Sequence, residues 1–257
     1  MEILSVNNIK KHFGGLEVLK GTTMDVKKGT MVGLVGPNGS GKTTLLKIIF
    51  SMLKADAGNI YFKGQDITRL PPHRIYQQGL SFAFQLPRLF FRLPVMDNLI
   101  LAGREQLGES LGGTLFLRPA WRRQEAQLAE KAWQLLDFLE MSSLARHMAG
   151  ELSGGQRKLV EIGRALMADP AMMLLDEPAA GVNPVLGKKI YQKLRTLTGQ
   201  GMTFLVVEHK LDMLLGFADW VYMIDNGKIM LSGTPREVIE SPEFYTTYVG
   251  EKKDAAS

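Results

Sequence analysis

The apolar residues of this chain form short, continuous runs that predict strands buried on both faces. Four such runs lie at Met31–Val35, Leu80–Phe84, Ala171–Leu175 and Thr203–Val207. Runs of this length without polar alternation are typical of a parallel sheet that is covered by helices. A helical pattern begins soon after the first run, at Leu45, so we expect an α/β fold.

Further strands are predicted near both ends of the chain. Residues 2–8 and roughly 18–26 are predicted to be strands on either side of a turn at Lys10–Gly15, with a third strand at Gly58–Phe62 and a short helix at Pro72–Gln78. These strands indicate an antiparallel β subdomain beside the α/β core. The chain is predicted to finish with two strands around Asn226–Lys228 and a last helix.

The middle of the chain has a helical pattern, from Pro94 to about Met148. Steps of three and four residues predict one apolar helix face between Arg122 and Glu140, formed by Ala126, Ala129, Trp133, Leu136 and Leu139. We therefore predict one domain over residues 1–250. It comprises an α/β core at 1–93 and 158–250, an inserted helical subdomain at about 94–157, and then a flexible polar tail at 251–257.

The composition of the chain excludes thiol chemistry and a membrane-spanning segment. The 257-residue chain contains no cysteine, which excludes disulfides, thiolate metal sites and a thiol nucleophile. No apolar run approaches the roughly 18 residues that span a bilayer, and the N-terminus lacks a signal-peptide pattern. We expect a cytoplasmic chain that is neither secreted nor membrane-spanning.

The net charge of +5 is concentrated in one region. Arg69–Arg123 contains eight arginines, no lysine and three acidic residues. Such a region can contact nucleic acid, anionic lipid or an acidic protein surface, and it can also be an ordinary solvated face.

The segment Gly36–Thr43 between the first buried run and its helix has the spacing G-x-x-x-x-G-K-[ST] of a phosphate-binding loop. Glycines allow the backbone N–H groups to surround phosphate oxygens at the positive end of the helix. Lys42 is predicted to reach the outer phosphates of a nucleoside triphosphate, and the Thr43 hydroxyl is predicted to bind Mg²⁺. A glycine-rich turn with a chance lysine is the alternative. The predicted ATP-binding residues are Phe13, Gly36, Asn38, Gly39, Ser40, Gly41, Lys42, Thr43 and Thr44.

Polar side chains follow three other predicted strands. Asp176 and Glu177 end one strand and point to opposite sides, so Asp176 is predicted to approach Mg²⁺ and Glu177 to polarise the attacking water. Gln85 is predicted as a further Mg²⁺ ligand, and His209 as a hydrogen-bond donor to the γ-phosphate. The alternatives are a plain acidic turn, a surface glutamine and a structural histidine.

Two further features can contact nucleotide. Ser153, Gly154, Gly155 and Gln156 start a helix, and bare N–H groups at a helix N-terminus form a second anion site. The same spacing is that of a capping box, so a plain helix start is the alternative. Phe13, beside Gly14 and Gly15, can stack on a base, or it can be an ordinary packed aromatic residue.

Taken in order, GPNGSGKTT, Gln85, LSGGQ, LLDEP and His209 resemble the ATP-binding subunits of ABC transporters, over about residues 1–250. This resemblance implies a P-loop ATPase fold and a head-to-tail dimer, a homodimer or a heterodimer with a related ATPase. In that dimer, residues 36–44 of one chain would face residues 153–156 of the other. It also implies attachment to the inner face of the cell membrane.

Finer features resemble the ATPases of branched-chain amino acid importers. They are Ala180–Pro184, the long insertion Leu107–Arg123 and the ending Glu240–Glu251. Asn183 stands where many members of the wider family have aspartate, and Phe13 where tyrosine is more frequent. The resemblance implies two permease subunits that dock near residues 86–104, together with an external substrate-binding protein.

The sequence also allows other interpretations of the function. Within the family they are the ATPase of a lipopolysaccharide exporter or of a urea importer. A soluble ABC-type ATPase that acts on DNA or ribosomes is the alternative outside transport, although the chain has one copy of each motif and no heptad run. A kinase or GTPase would leave LSGGQ and His209 unexplained, and we expect no nucleic-acid partner.

Overall fold

A six-stranded sheet lies at the centre of the computed structural model. The structure describes residues 1–83, 89–103, 118–208 and 211–244. The strand order is β10-β9-β3-β8-β7-β6, and all neighbours are parallel except β9 and β10. The strands are β3 (Met31–Val35), β6 (Leu80–Ala83), β7 (Met172–Asp176), β8 (Thr203–Val207), β9 (Trp220–Asp225) and β10 (Lys228–Gly233).

The predicted continuous apolar runs are buried on both sides of this sheet. Successive side chains of a strand point to opposite faces, and the two faces belong to two separate hydrophobic cores. Met173 and Leu175 pack into one core together with helices, while Met172 and Leu174 pack into the other together with a second sheet. This two-sided burial explains why the runs lack polar alternation.

The second sheet is antiparallel and has the strand order β2-β1-β4-β5. Its strands are β1 (Glu2–Phe13), β2 (Leu16–Lys27), β4 (Ala57–Phe62) and β5 (Gln65–Asp66). The predicted turn at Lys10–Gly15 is too long, because Lys10 pairs with Lys20, and Phe13 with Leu16. The register of this pair is irregular between Val6 and Lys10, and the two strands continue past that irregularity towards the turn.

Helices cover the sheets and connect the strands. They are α1 (Lys42–Ile49), α2 (Pro72–Gln77), α3 (Val95–Ile100), α4 (Arg118–Phe138), α5 (Gly154–Leu166), α6 (Pro184–Gly199), α7 (Leu211–Leu215) and α8 (Pro235–Ile239). Helix α5 runs across residue 157, where the sequence places a boundary between the helical subdomain and the core. None of the helices within the described ranges is long and apolar enough to cross a membrane.

The predicted apolar face of α4 is partly wrong. Leu136 and Leu139 are buried as expected, but Trp133 is 45% exposed and Ala126 is exposed. The buried stripe instead contains Ala132, with Leu128 and Leu135 packed against it. The prediction placed Trp133 on the buried face because its side chain is large and apolar. Smaller residues beside it have the same helical spacing and form the face that is actually buried.

Alanine substitutions distinguish the two faces of α4. Leu136→Ala is expected to lower the free energy of unfolding by about 2–5 kcal/mol, because the side chain is fully buried and its removal leaves a cavity. Trp133→Ala is expected to cost about 1 kcal/mol or less, because much of the ring already contacts solvent. Urea unfolding of both variants measures this difference, and a larger loss for Trp133→Ala would contradict the observed face.

Candidate functional site

The loop between β3 and α1 lies between the two sheets. Gly36 approaches the end of β9 so closely that a Cβ atom would lie 2.0 Å from the Ile224 carbonyl oxygen. On the other side, a Cβ on Gly41 would lie 2.6 Å from Leu19 Cδ2 and 3.1 Å from the Val18 carbonyl oxygen of β2. Gly36, Gly39 and Gly41 all have positive φ angles. Glycine is therefore required by both conformation and space at positions 36 and 41, and by conformation alone at Gly39, where a Cβ would meet no atom within 4 Å.

Lys42 lies folded against this loop and is buried. Its Nζ donates hydrogen bonds to the carbonyl oxygens of Gly36 at 2.8 Å and Pro37 at 2.7 Å. Ser40 is also buried, Thr43 and Thr44 are half-buried, and Asn38 and Gly39 are exposed at the tip. The predicted phosphate-binding residues 36–44 therefore form one loop with an ammonium group at its centre, at the N-terminus of α1.

Thr43 connects this loop to the end of β7. Its Oγ1 donates a hydrogen bond to Asp176 Oδ1 at 3.2 Å. Burial raises the pKa of Asp176, and the hydrogen bond from Thr43 opposes that effect. Hydroxyl and carboxylate oxygens are the ligands that Mg²⁺ prefers, so this donor pair fits the metal predicted from the sequence.

The donor pair also indicates how such a metal would be held. The described ranges contain no group of three or more His, Asp and Glu side chains that could hold a metal ion. Mg²⁺ is commonly bound by one or two protein ligands plus phosphate oxygens and water. Two protein oxygens beside a phosphate-binding loop match that pattern.

Glu177 follows directly after β7 with a left-handed backbone. Its φ angle is 51°, and its N–H donates to the Val207 carbonyl oxygen at 2.9 Å. Glu177 is half-buried, whereas Asp176 is buried, so the two carboxylates occupy different environments. This agrees with the different roles that the sequence predicts for them.

Ser153–Gln156 form the start of α5. The Ser153 Oγ accepts a hydrogen bond from the Gln156 N–H at 3.3 Å, and the Gln156 Oε1 accepts one from the Ser153 N–H at 2.8 Å. The capping box considered from the sequence is therefore present. A Cβ on Gly154 would meet no atom within 4 Å, while one on Gly155 would lie 2.2 Å from Leu186 Cδ2.

Phe13 lies at the end of β1 and is 47% exposed. Its strand neighbour Leu16 begins β2, the strand whose Val18 carbonyl oxygen faces Gly41 of the phosphate loop. The hairpin therefore brings the exposed ring to the same side of the molecule as the loop.

Comparison with known proteins places the chain in a family. The ABC transporter family model matches residues 19–180. The chain belongs to the ABC transporter family. A relative from Methanocaldococcus jannaschii, named as a probable branched-chain amino acid transport ATP-binding protein LivG, is 43% identical over 255 residues, which cover 98% of each chain.

Solved ABC transporter cassettes have the same fold. A cassette in its ADP conformation matches with a TM-score of 0.83 at 41% identity, over 97% of this chain and 99% of that chain. A dimeric cassette bound to ADP and Pi matches with a TM-score of 0.76 at 26% identity, over 91% and 99%. The predicted P-loop ABC ATPase fold is confirmed, and this family member is a nucleotide-binding ATPase.

The structure brings together only some of the predicted site residues. The loop 36–44 and the Asp176–Glu177 pair lie side by side, connected by the hydrogen bond from Thr43. In the described part of the chain, the side chains of Ser153 and Gln156 accept hydrogen bonds from each other's backbone N–H groups. Gln85 and His209 lie outside the described residues.

Sequence reasoning assigned no role to Glu208 or Lys158, which are among the buried charged residues of this ABC ATPase. Glu208 is 1% exposed, and its Oε1 accepts a hydrogen bond from the Ala179 N–H at 2.9 Å. It thereby ties the segment after Glu177 to the end of β8. Its place at a strand end was visible in the sequence, but the partner is a backbone N–H 29 residues away.

Lys158 is the second residue that was missed. It is 4% exposed on α5. Burial lowers its pKa, while Asp176, Glu161, Glu208 and Glu177 oppose that shift, Asp176 most strongly. Lys158 therefore provides positive charge beside the acidic end of β7. A helix periodicity argument does not predict this, because buried lysine is rare.

Glycine substitutions test the close approach of the phosphate loop to β9. Gly39→Ala is expected to cost about 1–2 kcal/mol of folding free energy, because alanine disfavours a positive φ angle. Gly36→Ala is expected to cost about 1–3 kcal/mol of folding free energy more than Gly39→Ala, because its Cβ would also overlap the Ile224 backbone. Thermal unfolding measures both changes, and equal losses would show that the loop does not contact β9 as described.

Proposed function

We propose that this chain is the ATP-hydrolysing subunit of an ABC importer that takes up branched-chain or related hydrophobic amino acids. The observation that carries the proposal is the 43% identity, over nearly the full length of both chains, to the relative named LivG. The phosphate loop and the adjacent acid pair supply the ATPase chemistry that such a subunit needs.

ATP would bind against the loop of residues 36–44. The N–H groups of the loop and of the first turn of α1 would surround the phosphates. Lys42 would exchange its hydrogen bonds with the Gly36 and Pro37 carbonyl oxygens for contacts with the outer phosphates. Phe13 would stack on the base.

Thr43, Asp176 and Gln85 would hold Mg²⁺. When bound, Mg²⁺ neutralises negative charge on the phosphate oxygens during phosphoryl transfer. Thr43 and Asp176 are already within hydrogen-bond distance of each other, so little rearrangement would be needed for both to face one ion.

Glu177 would orient the attacking water and accept its proton. Its half-buried carboxylate belongs to the residue directly after Asp176, at the end of β7. His209 would donate a hydrogen bond to the γ-phosphate. Glu208 would keep the segment after Glu177 in place through its hydrogen bond with the Ala179 N–H.

A second ABC cassette, either a copy of this chain or a related ATPase, would complete the site. Ser153–Gln156 of one cassette would contact the nucleotide that is bound to residues 36–44 of the other. The exposed start of α5 and the open space around Gly154 support this arrangement. ATP binding would close the dimer, and hydrolysis would reopen it.

Two transmembrane permeases would convert that motion into transport, aided by an external substrate-binding protein. We place their docking surface at residues 86–104, and the ATPase on the inner face of the membrane. Phe90 and Phe91 in this segment are half-exposed, and the guanidinium groups of Arg164 and Arg157 lie 5.4 and 5.2 Å from their ring centroids. Arg88 lies outside the described residues.

The role of Glu177 is tested by Glu177→Gln. This variant is expected to bind ATP with nearly unchanged affinity but to hydrolyse it at least about 100-fold more slowly, because the amide cannot accept the proton of the water. Glu125→Gln, at an exposed site on α4, is the matched control and should hydrolyse ATP normally. Hydrolysis by Glu177→Gln at the wild-type rate would remove Glu177 from this role.

The transport proposal is tested by purifying the tagged chain gently with membranes from its native cell. Two polytopic permeases are expected to co-purify. In right-side-out vesicles, the complex should take up leucine, isoleucine or valine only when ATP is enclosed inside the vesicles. Uptake of urea or movement of lipopolysaccharide would replace the proposed substrate. Recovery with ribosomes or DNA and without membrane protein would contradict a transport function.

A further inference from the structure

Asp56 binds three consecutive residues of β1. Its Oδ1 accepts a hydrogen bond from Lys11 Nζ at 2.8 Å, and its Oδ2 accepts one from the His12 N–H at 2.6 Å. The His12 Nδ1 lies 3.3 Å from the same Oδ2. The Asp56 N–H donates to the Lys10 carbonyl oxygen at 2.9 Å. Asp56, which lies just before β4, thus holds residues 10–12 at the end of β1 that leads into the turn.

The residue that follows this fixed segment is Phe13. The Lys11 ammonium group, which is bound by Asp56, also lies 5.5 Å from the centroid of the Phe13 ring. A cation over an aromatic face attracts the ring. Lys11 therefore contacts the ring of Phe13, a residue that is still 47% exposed to solvent.

The opposite strand adds a weaker contact. The His12 Nε2 lies 3.5 Å from Glu17 Oε1 on β2. Beyond Glu17, the Val18 carbonyl oxygen lies against Gly41 of the phosphate loop. The hairpin of β1 and β2 thus sets the position of Phe13 relative to the phosphate loop, and Asp56 holds the β1 strand of this hairpin next to its turn.

We propose that Asp56 is a positioning residue for nucleobase binding, which holds Phe13 at the stacking position through Lys11 and His12. This inference rests on the proposed role of Phe13 in binding the base of ATP. Asp56 would not touch the nucleotide, so it differs from the residues of the phosphate loop.

The charge state of Asp56 suits this role. The hydrogen bond from Lys11, followed by that from the His12 N–H, lowers the pKa of Asp56 to about 2. The carboxylate therefore remains ionised across the neutral range, and its contacts with Lys11 and His12 persist there. An aromatic ring on a mobile hairpin end would lose conformational freedom when a base binds, whereas a fixed ring has already lost it.

The test compares ATP with inorganic triphosphate, which has phosphates but no base. Isothermal titration at fixed Mg²⁺ would measure both affinities for the wild type and for Asp56→Ala. The variant is expected to bind ATP about three- to tenfold more weakly and triphosphate almost unchanged, because only a part of the base-stacking free energy is lost. Asp56→Asn, which keeps an acceptor for the His12 N–H, should restore part of the loss.

Asp66→Ala is the matched control. Asp66 is an exposed aspartate of the same sheet, and its Oδ1 accepts hydrogen bonds from Thr68. This variant should bind both ligands as the wild type does. Unchanged ATP binding by Asp56→Ala, or equal losses for ATP and triphosphate, would overturn the proposal, because the second result would show a general structural role.

Phe13→Ala separates this proposal from the function on which it rests. If Phe13→Ala does not weaken ATP binding relative to triphosphate, the stacking role of Phe13 is wrong, and the role of Asp56 fails with it. If Phe13→Ala weakens ATP binding but Asp56→Ala does not, only the positioning role fails. If Asp56 acts through Phe13, the double variant will bind ATP no more weakly than Phe13→Ala alone.

Discussion

The parallel pairing of β3, β8 and β7 is the constraint on which the rest of the site depends. The carboxyl ends of parallel strands meet at one edge of a sheet, and here they deliver the phosphate loop, Glu208 and the Asp176–Glu177 pair to that edge. The Thr43–Asp176 hydrogen bond joins the first turn of α1, which follows the phosphate loop, to the end of β7. Residues about 130 positions apart in the sequence are thereby brought together at one site, in a chain that belongs to a family of ATPases.

The second sheet completes this arrangement by closing the phosphate loop from the other side. Gly227, in the turn between β9 and β10, donates its N–H to the Ser40 carbonyl oxygen and accepts a hydrogen bond from the Lys20 N–H of β2. The loop is thus held between both sheets, where Gly36 and Gly41 leave no room for a side chain. The same β2 strand pairs with the end of β1 that carries Phe13, so the base and phosphate contacts would share one support.

Much of this arrangement follows from short-range patterns in the sequence. Continuous apolar runs predicted the buried strands, and the Ser153–Gln156 spacing offered the capping box as an alternative that the structure contains, because both depend on neighbouring residues alone. Longer-range effects were missed. Lys10–His12 are polar but belong to β1, because Asp56 and β2 satisfy them. The face of α4 and the roles of Glu208 and Lys158 depend on partners that are distant in the sequence, so periodicity could not identify them.

The most direct test of the central claim is a crystal structure of the chain with Mg²⁺ and a non-hydrolysable ATP analogue. The account predicts that the phosphates lie against residues 36–44, with the metal about 2.1 Å from the Thr43 hydroxyl and near Asp176. The base should stack on Phe13. A nucleotide bound elsewhere, for example in the cavity of about 350 Å³ beside Trp220 and Tyr222, would contradict the account. So would a loop that stays unchanged at saturating ligand, with the Lys42 ammonium group still hydrogen-bonded to the Gly36 and Pro37 carbonyl oxygens.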